Sequence, residues 1–312
     1  MPGGVSNTTH GEGVKRGVGY AVGFKNIGYS EGFDDYSTAR VRLFVVDGKP
    51  RVEVHSAAAE VGQGLVTVQA QIAATELGVD DVEVLNANTE VGSAGSSSAS
   101  RQTYITGGAV RAAAAAVRER VAELSRAELA EGESVSLATL LGDAVIEETR
   151  VFRPRKTHHL DPETGQAQAH MQFAFAAHRA VVDVDTELGL VKVVELATAQ
   201  DVGKAINPLA VQGQLEGGAA QGLGLAVMEE IQVKDGVIRN PSFTDYLLPT
   251  ILDMPPLKMD ILELGDPNSP YGLKGVGEPP TISSGPAIVA AIRAATGRDI
   301  NRVPVRPHDI TP

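Results

Sequence analysis

The sequence predicts an α+β fold, with mixed, largely antiparallel sheets and packed helices in two lobes. Three observations carry that prediction. Two long pairs of alternating apolar stretches are joined by turns, Asp47-Gly48 in one and Asp185-Thr186-Glu187-Leu188-Gly189 in the other. Asp-Gly between such stretches is a strong hairpin signal, because both residues tolerate positive φ. Stretches with helical spacing lie between the hairpins, and helices and strands do not alternate strictly, so a doubly wound sheet is not expected.

Residues 1–16 are polar and aperiodic and read as a flexible leader. The first lobe spans 17–146. Gly17–Phe24 is a strand, and Ala39–Val46 with Arg51–Ala57 forms the first hairpin. Gln63-Gly64 opens a helix to about Leu77, with Leu65, Val68, Ile72 and Leu77 on one side. A short strand at Val82–Leu85 and a Ser/Gly loop at Ser93–Ser100 precede an alanine-rich helix from Gly107 to about Glu131. Ser136–Asp143 reads as another short helix. Residues 147–170 carry Pro154, Pro162 and many charges, as a polar linker would.

The second lobe spans 171–312. Phe173–Asp185 and Leu190–Gln200 make the second hairpin, and Asn207 caps a glycine-containing helix from Pro208 to Met228. Val233–Ile238 turns at Asp235-Gly236, and Leu257–Leu264 is a strand. Pro286–Ala295 is the last helix, with Ser283 or Ser284 as N-cap and Gly297 past its end. No fixed-period repeat is apparent in the sequence.

A net charge of -12 argues against a nucleic-acid or anionic-membrane partner. The alanine-rich stretch Ala109–Val117, interrupted by Arg111, is far short of a membrane span. Met1 is followed by no basic-then-apolar leader, so the expected location is the cytoplasm. The absence of cysteine excludes a disulfide, a thiolate nucleophile and an iron–sulfur cluster held by this chain alone. His158 and His159 sit together in the polar linker and do not make a metal-ligand set.

Four segments carry candidate chemistry. Lys274-Gly-Val-Gly-Glu-Pro-Pro280 holds one carboxylate, Glu278, between glycines and prolines just ahead of a helix. Taken alone this is a solvated surface turn, but a stiff loop is also how a general base is positioned. Gly62-Gln63-Gly64 stands at a loop-to-helix junction, where backbone amides favour an anion; by itself it is equally an ordinary glycine turn. Ser96-Ser-Ser-Ala-Ser-Arg-Gln102 is hydroxyl-rich and carries an arginine, which fits either an anion cradle or a serine linker. Gln221 lies among Gly213, Gly217, Gly218, Gly222 and Gly224. Interior helix glycines cost roughly 1 kcal/mol each relative to alanine, so something packs close to this helix.

Together and in this order these segments resemble the C-terminal half of the large molybdenum subunit of the xanthine dehydrogenase, aldehyde oxidase and carbon monoxide dehydrogenase family. Gln200-Asp-Val-Gly203, Ile206-Asn-Pro208, Gly107-Gly-Ala109 and Tyr246-Leu-Leu-Pro-Thr250 add to the resemblance, which runs from about Gly17 to the last residue. It implies the same fold class and a molybdenum–molybdopterin cofactor. The Ser-Arg-Gln form of the serine loop points to the cytosine dinucleotide form. The resemblance further implies that Gly62, Gln63, Gly64, Ala99, Ser100, Arg101, Gln221 and Gly277 contact the cofactor, and that Glu278 is the base. In that family the pterin dithiolene holds the metal, so the resemblance implies that no protein ligand is required.

The implied reaction is attack of a Mo–OH oxygen on an electron-poor carbon, with hydride passing to Mo=S. The tract Phe24–Gly32 leans towards purines such as xanthine or hypoxanthine. The family's glycine-rich first half is not found in this chain. The implied partners are therefore the N-terminal half of the molybdenum subunit and separate subunits carrying FAD and iron–sulfur clusters. An aldehyde oxidoreductase or carbon monoxide dehydrogenase fragment, and a non-catalytic scaffold, remain the alternatives.

Overall fold

The computed structural model of the chain describes residues 13–130 and 133–312. In chain order the strands and helices are β1 (Val14–Ile27), β2 (Ser37–Val46), β3 (Lys49–Ser56), α1 (Leu65–Leu77), β4 (Val82–Val84), α2 (Gln102–Glu128), α3 (Leu137–Leu141) and β5 (Ile146–Phe152). There follow β6 (Gln172–Asp185), β7 (Leu190–Asp201), α4 (Pro208–Val227), β8 (Val233–Lys234), β9 (Val237–Ile238), β10 (Leu257–Leu262), α5 (Pro279–Thr296) and α6 (Pro307–Ile310). The α+β class is as expected. Among the described residues, no helix is long and apolar enough to cross a membrane.

Two four-stranded sheets form, in the orders β1-β6-β7-β10 and β4-β3-β2-β5. Each has the same construction. A hairpin (β2–β3 or β6–β7) runs into a helix (α1 or α4), then a strand parallel to the hairpin's second member (β4 or β10), then a second helix (α2 or α5). The remaining edge strand is exchanged: β1, which precedes the first unit, pairs with β6 of the second, and β5, which precedes the second, pairs with β2 of the first. The repeat is one of topology, which a search for fixed-period sequence similarity does not reveal.

Each unit has its own core. In the first, Val41, Leu43, Val52 and Val54 face Ile72, Val110 and Val117. In the second, Val182, Val184, Val191 and Leu196 face Leu223, Ile288 and Ile292. A smaller cluster of Ile27, Tyr104, Ile105, Met171, Ala174 and Leu273 joins them. Helix α5 lies directly on β1, because a Cβ on Gly17 would stand 2.0 Å from the Ala291 carbonyl oxygen.

Several expectations need correction. The strand expected from Gly17 begins at Val14, where Arg16 pairs with Asp183 at 2.7 Å, so residues 14–16 are not leader; residues 1–12 lie outside the described ones. Residues 147–152 belong to β5 and not to a linker. β5 is an edge strand with four charged or polar residues in its middle, so its sequence lacks apolar alternation. The lobes are also not contiguous in sequence, since β1 sits in the second sheet. Helix α2 starts at Gln102 and runs through Gly107 and Gly108, whose missing side chains leave room for Ile72 and Phe152. Helix α5 starts at Pro279, with Pro286 exposed in mid-helix instead of marking its first turn.

Candidate active site

The repeat brings the starts of α2 and α5 together, one from each unit. Glu278 is itself the N-cap residue of α5, with Pro279 and Pro280 in the first turn. Proline suits those positions because the first helical N–H groups have no intrahelical acceptor. The Glu278 side chain makes no capping bond to its own helix. It turns instead to the segment ahead of α2. The Ser100 hydroxyl donates to Glu278 Oε2 at 2.8 Å, and the Glu278 amide donates to Ser100 Oγ at 2.9 Å. Lys25, near the end of β1, places Nζ 3.2 Å from the same Oε2. The carboxylate remains 46% exposed.

Close approach of these segments depends on Gly275. A Cβ there would stand 2.0 Å from the Ser100 carbonyl oxygen, whereas one on Gly277 would meet nothing closer than 3.4 Å. Ala99 and Ser100 both have left-handed backbone, at φ 53 and φ 49, and the Ala99 carbonyl accepts from the Gly28 amide at 2.9 Å.

Beside Glu278 lies a cavity of about 240 Å³. Of the residues singled out from the sequence, Gln63, Ser100, Arg101, Gly277 and Glu278 line it. Gly62, Gly64, Ala99 and Gln221 do not line it. Gln221 is exposed on α4 and accepts from Thr281 Oγ1 at 3.3 Å, beside the first turn of α5. Sequence reasoning missed Lys204, Asn207, Gln214 and Lys274 in the lining. Asn207 caps α4 as expected, accepting from the Ala210 amide at 3.0 Å. Lys274 is paired with Asp201, and both are largely buried.

Two expected anion contacts are already occupied within the chain. The Arg101 guanidinium is fully buried and bonded to Asp35, to the Ala94 and Ser96 carbonyls and to the Tyr36 carbonyl. Breaking such a buried pair typically costs about 3–5 kcal/mol, so its donors are not free for a ligand. Arg101 shapes the serine loop from inside. At α1, the Glu60 carboxylate accepts from the amides of Gly62 at 2.7 Å, Gly64 at 3.0 Å and Val66 at 2.9 Å. Burial works against its charge, but the amides of Val66, Gly64, Gly62 and Leu65 outweigh that and hold its pKa below the ordinary value. Gln63 is turned inward as well, donating to the Ala59 carbonyl at 2.9 Å and accepting from the Val61 amide at 2.6 Å. The start of α2 differs: it has no side-chain cap and no acidic residue in its first turn, and Gln102 and Thr103 line the cavity.

This is a two-unit fold in which one carboxylate and a helix start without a side-chain cap border the same cavity. Residues 5–255 match the family model described as molybdopterin cofactor-binding domain, and the chain belongs to that family. It is 33% identical over 276 residues to the xanthine dehydrogenase molybdenum-binding subunit of Escherichia coli O157:H7, covering 82% of this chain and 37% of that protein. It is 31% identical over 316 residues to the aldehyde oxidoreductase of Megalodesulfovibrio gigas, covering 98% of this chain and 32% of that one. The solved quinoline 2-oxidoreductase from Pseudomonas putida 86 superposes with a TM-score of 0.81 at 30% identity, covering 96% of this chain and 42% of that one. The chain thus spans less than half the length of these relatives.

The residues present fit a pterin cofactor in part. The uncapped start of α2 suits its anionic end, and Gln214 offers an amide group to a polar ring, whereas the Asn207 amide is bonded to Ala210 and Gln71. The start of α1 suits an anion only if Glu60 moves away. No three His, Cys, Asp or Glu side chains among the described residues gather to hold a metal.

Proposed function

We propose that this chain is the C-terminal, molybdopterin-binding portion of a molybdenum hydroxylase that oxidises an electron-poor carbon, with a purine such as xanthine favoured. The observation that carries the reading is the Glu278 carboxylate, fixed by Ser100 beside a cavity that also receives the uncapped start of α2. When bound, the cofactor, in its cytosine dinucleotide form on this reading, supplies the oxygen donor and two-electron acceptor. The chain itself supplies the rest. The start of α2 holds the anionic tail, Gln214 orients the ring, and Glu278 accepts the proton released as the substrate is attacked.

The cavity is open and Glu278 is half exposed, so a second body of polypeptide is needed to exclude water. The relatives' greater length supports this, as does the outer face of the β1–β6 sheet, where Tyr20 is 67%, Val22 82% and Phe24 67% exposed. On this reading that body is the N-terminal half of the molybdenum subunit. Electrons then leave through FAD and iron–sulfur subunits, since this chain has no cysteine.

The test is Glu278→Gln in the chain assembled with its N-terminal half and cofactor, assayed on xanthine, quinoline and an aromatic aldehyde. Glutamine keeps size and one acceptor oxygen but takes up no proton. Turnover is expected to fall by about 10²–10⁴-fold while molybdenum content stays near wild type. A variant with full metal and more than about a tenth of the wild-type rate removes Glu278 from the chemistry. A wild-type assembly inactive on all three substrates removes the hydroxylase reading.

A further inference from the structure

We propose that Lys25 and Ser100 are positioning residues that hold the Glu278 carboxylate by one oxygen and leave the other, Oε1, as the proton-accepting atom. The inference rests on the reading of Glu278 as the base. Both groups converge on Oε2, the Ser100 hydroxyl at 2.8 Å and the Lys25 ammonium at 3.2 Å. No donor among the described residues reaches Oε1. The carboxylate is therefore held from one side by two segments distant in sequence, the end of β1 and the approach to α2.

Each holder is itself tied down. Lys25 Nζ also donates to the Asn26 carbonyl at 2.6 Å and to Asn26 Oδ1 at 3.1 Å, and its side chain is only 21% exposed. A surface lysine with a loose stem would hold nothing in place; this one has few alternative positions. Lys25 does not line the cavity, so it acts through Glu278 and not on a ligand there. Ser100 is held by its backbone. Its φ of 49, following φ 53 at Ala99, lies in the region that glycine occupies without cost and serine does not. Glycine would relieve that backbone and lose only the hydroxyl. A strained residue whose side chain meets a single functional group is the pattern found where strain serves a site.

The experiment uses the assembled holoenzyme, with the fastest substrate among xanthine, quinoline and an aromatic aldehyde, and three variants: Lys25→Met, Lys25→Arg and Ser100→Gly. A carboxylate free to rotate spends most of its time out of line, so Lys25→Met and Ser100→Gly are each expected to lower kcat by about 10-fold or more, with KM and molybdenum content little changed. Lys25→Arg is expected to recover most of the loss. A second measurement needs no cofactor: the thermal midpoint of the chain alone. Ser100→Gly is expected to leave that midpoint unchanged or raise it, because the glycine removes backbone strain. A crystal structure of either impaired variant should show the carboxylate turned away from its wild-type position.

Three results overturn the inference. The first is kcat within about twofold of wild type in both Lys25→Met and Ser100→Gly while Glu278→Gln is inactive, which discards the clamp and keeps the base. The second is a midpoint that falls with kcat in Ser100→Gly, which makes Ser100 structural. The third is equal impairment by Met and Arg at 25, which removes the charge from the argument. An active Glu278→Gln fails the underlying reading instead, and so is told apart from all three.

Discussion

His178, on the buried face of β6, shows how much a single side chain's surroundings decide. One ring nitrogen bonds Ser283 Oγ at 2.8 Å, while the other is buried with no partner among the described residues. Burial pushes its pKa down to about 4. In the unfolded chain it titrates near 6.5, so between these values the unfolded state binds the extra proton. The stability gained from the neutral ring is complete above about 6.5 and is lost as pH falls towards 4, on the order of 3 kcal/mol in all. Urea midpoints of wild type and His178→Asn across this range should converge on acidification. Parallel curves would show that His178 is not the group responsible.

The glycines, prolines and serines of the sequence announce fixed loops around Glu278, Ser100 and Gln63, and the fold brings all three to one cavity. The sequence did not reveal how Arg101 and Glu60 are used. Both are charged residues beside apparent anion sites, and only the fold shows that Asp35 and the α1 amides already satisfy them.

At the scale of elements, the α4–α5 contact is built from glycines of two kinds. A Cβ on Gly222 would stand 1.8 Å from Ser284 Oγ, and one on Gly218 would stand 2.6 Å from Pro280 Cβ, so these let the helices touch. Gly213 and Gly217 face nothing within 4 Å. Alanine should therefore act with opposite signs in the chain alone. Gly222→Ala should destabilise by about 1–3 kcal/mol through overpacking, and Gly217→Ala should stabilise by up to about 1 kcal/mol through helix propensity. Equal effects in a denaturation series would mean that the contact yields easily. Sequence patterning located α4 well, since glycine within apolar helical spacing signals close packing. It misplaced the starts of α2 and α5, where buried Gln102 and Tyr104 and the Pro279-Pro280 pair override the apparent loop.

Across the whole molecule, the exchange of β1 and β5 ties the two sheets together, so they are expected to unfold as one unit. β1 pairs with β6 along its entire length, and β5 pairs with seven residues of β2. Residues 171–312 expressed alone would lack the strand that covers β6 and supports α5. That fragment should show no cooperative unfolding transition, whereas the full chain should show a single one by both circular dichroism and fluorescence. Two separated transitions in the full chain would mean that the sheets fold independently. The exchange was not legible in the sequence, because pairing partners are chosen by contacts between distant segments, and the alternation in β1 fits either sheet equally.

The like construction of the two units has a further consequence at the place where they meet. The start of α2 and the start of α5 occupy equivalent places, yet one presents a hydroxyl and the other a carboxylate. A symmetric pair of helix starts would have offered two identical and competing receptors. By differing at these two positions, the halves divide the labour on the proposed reading: one grips, the other takes a proton, and neither is complete without its counterpart.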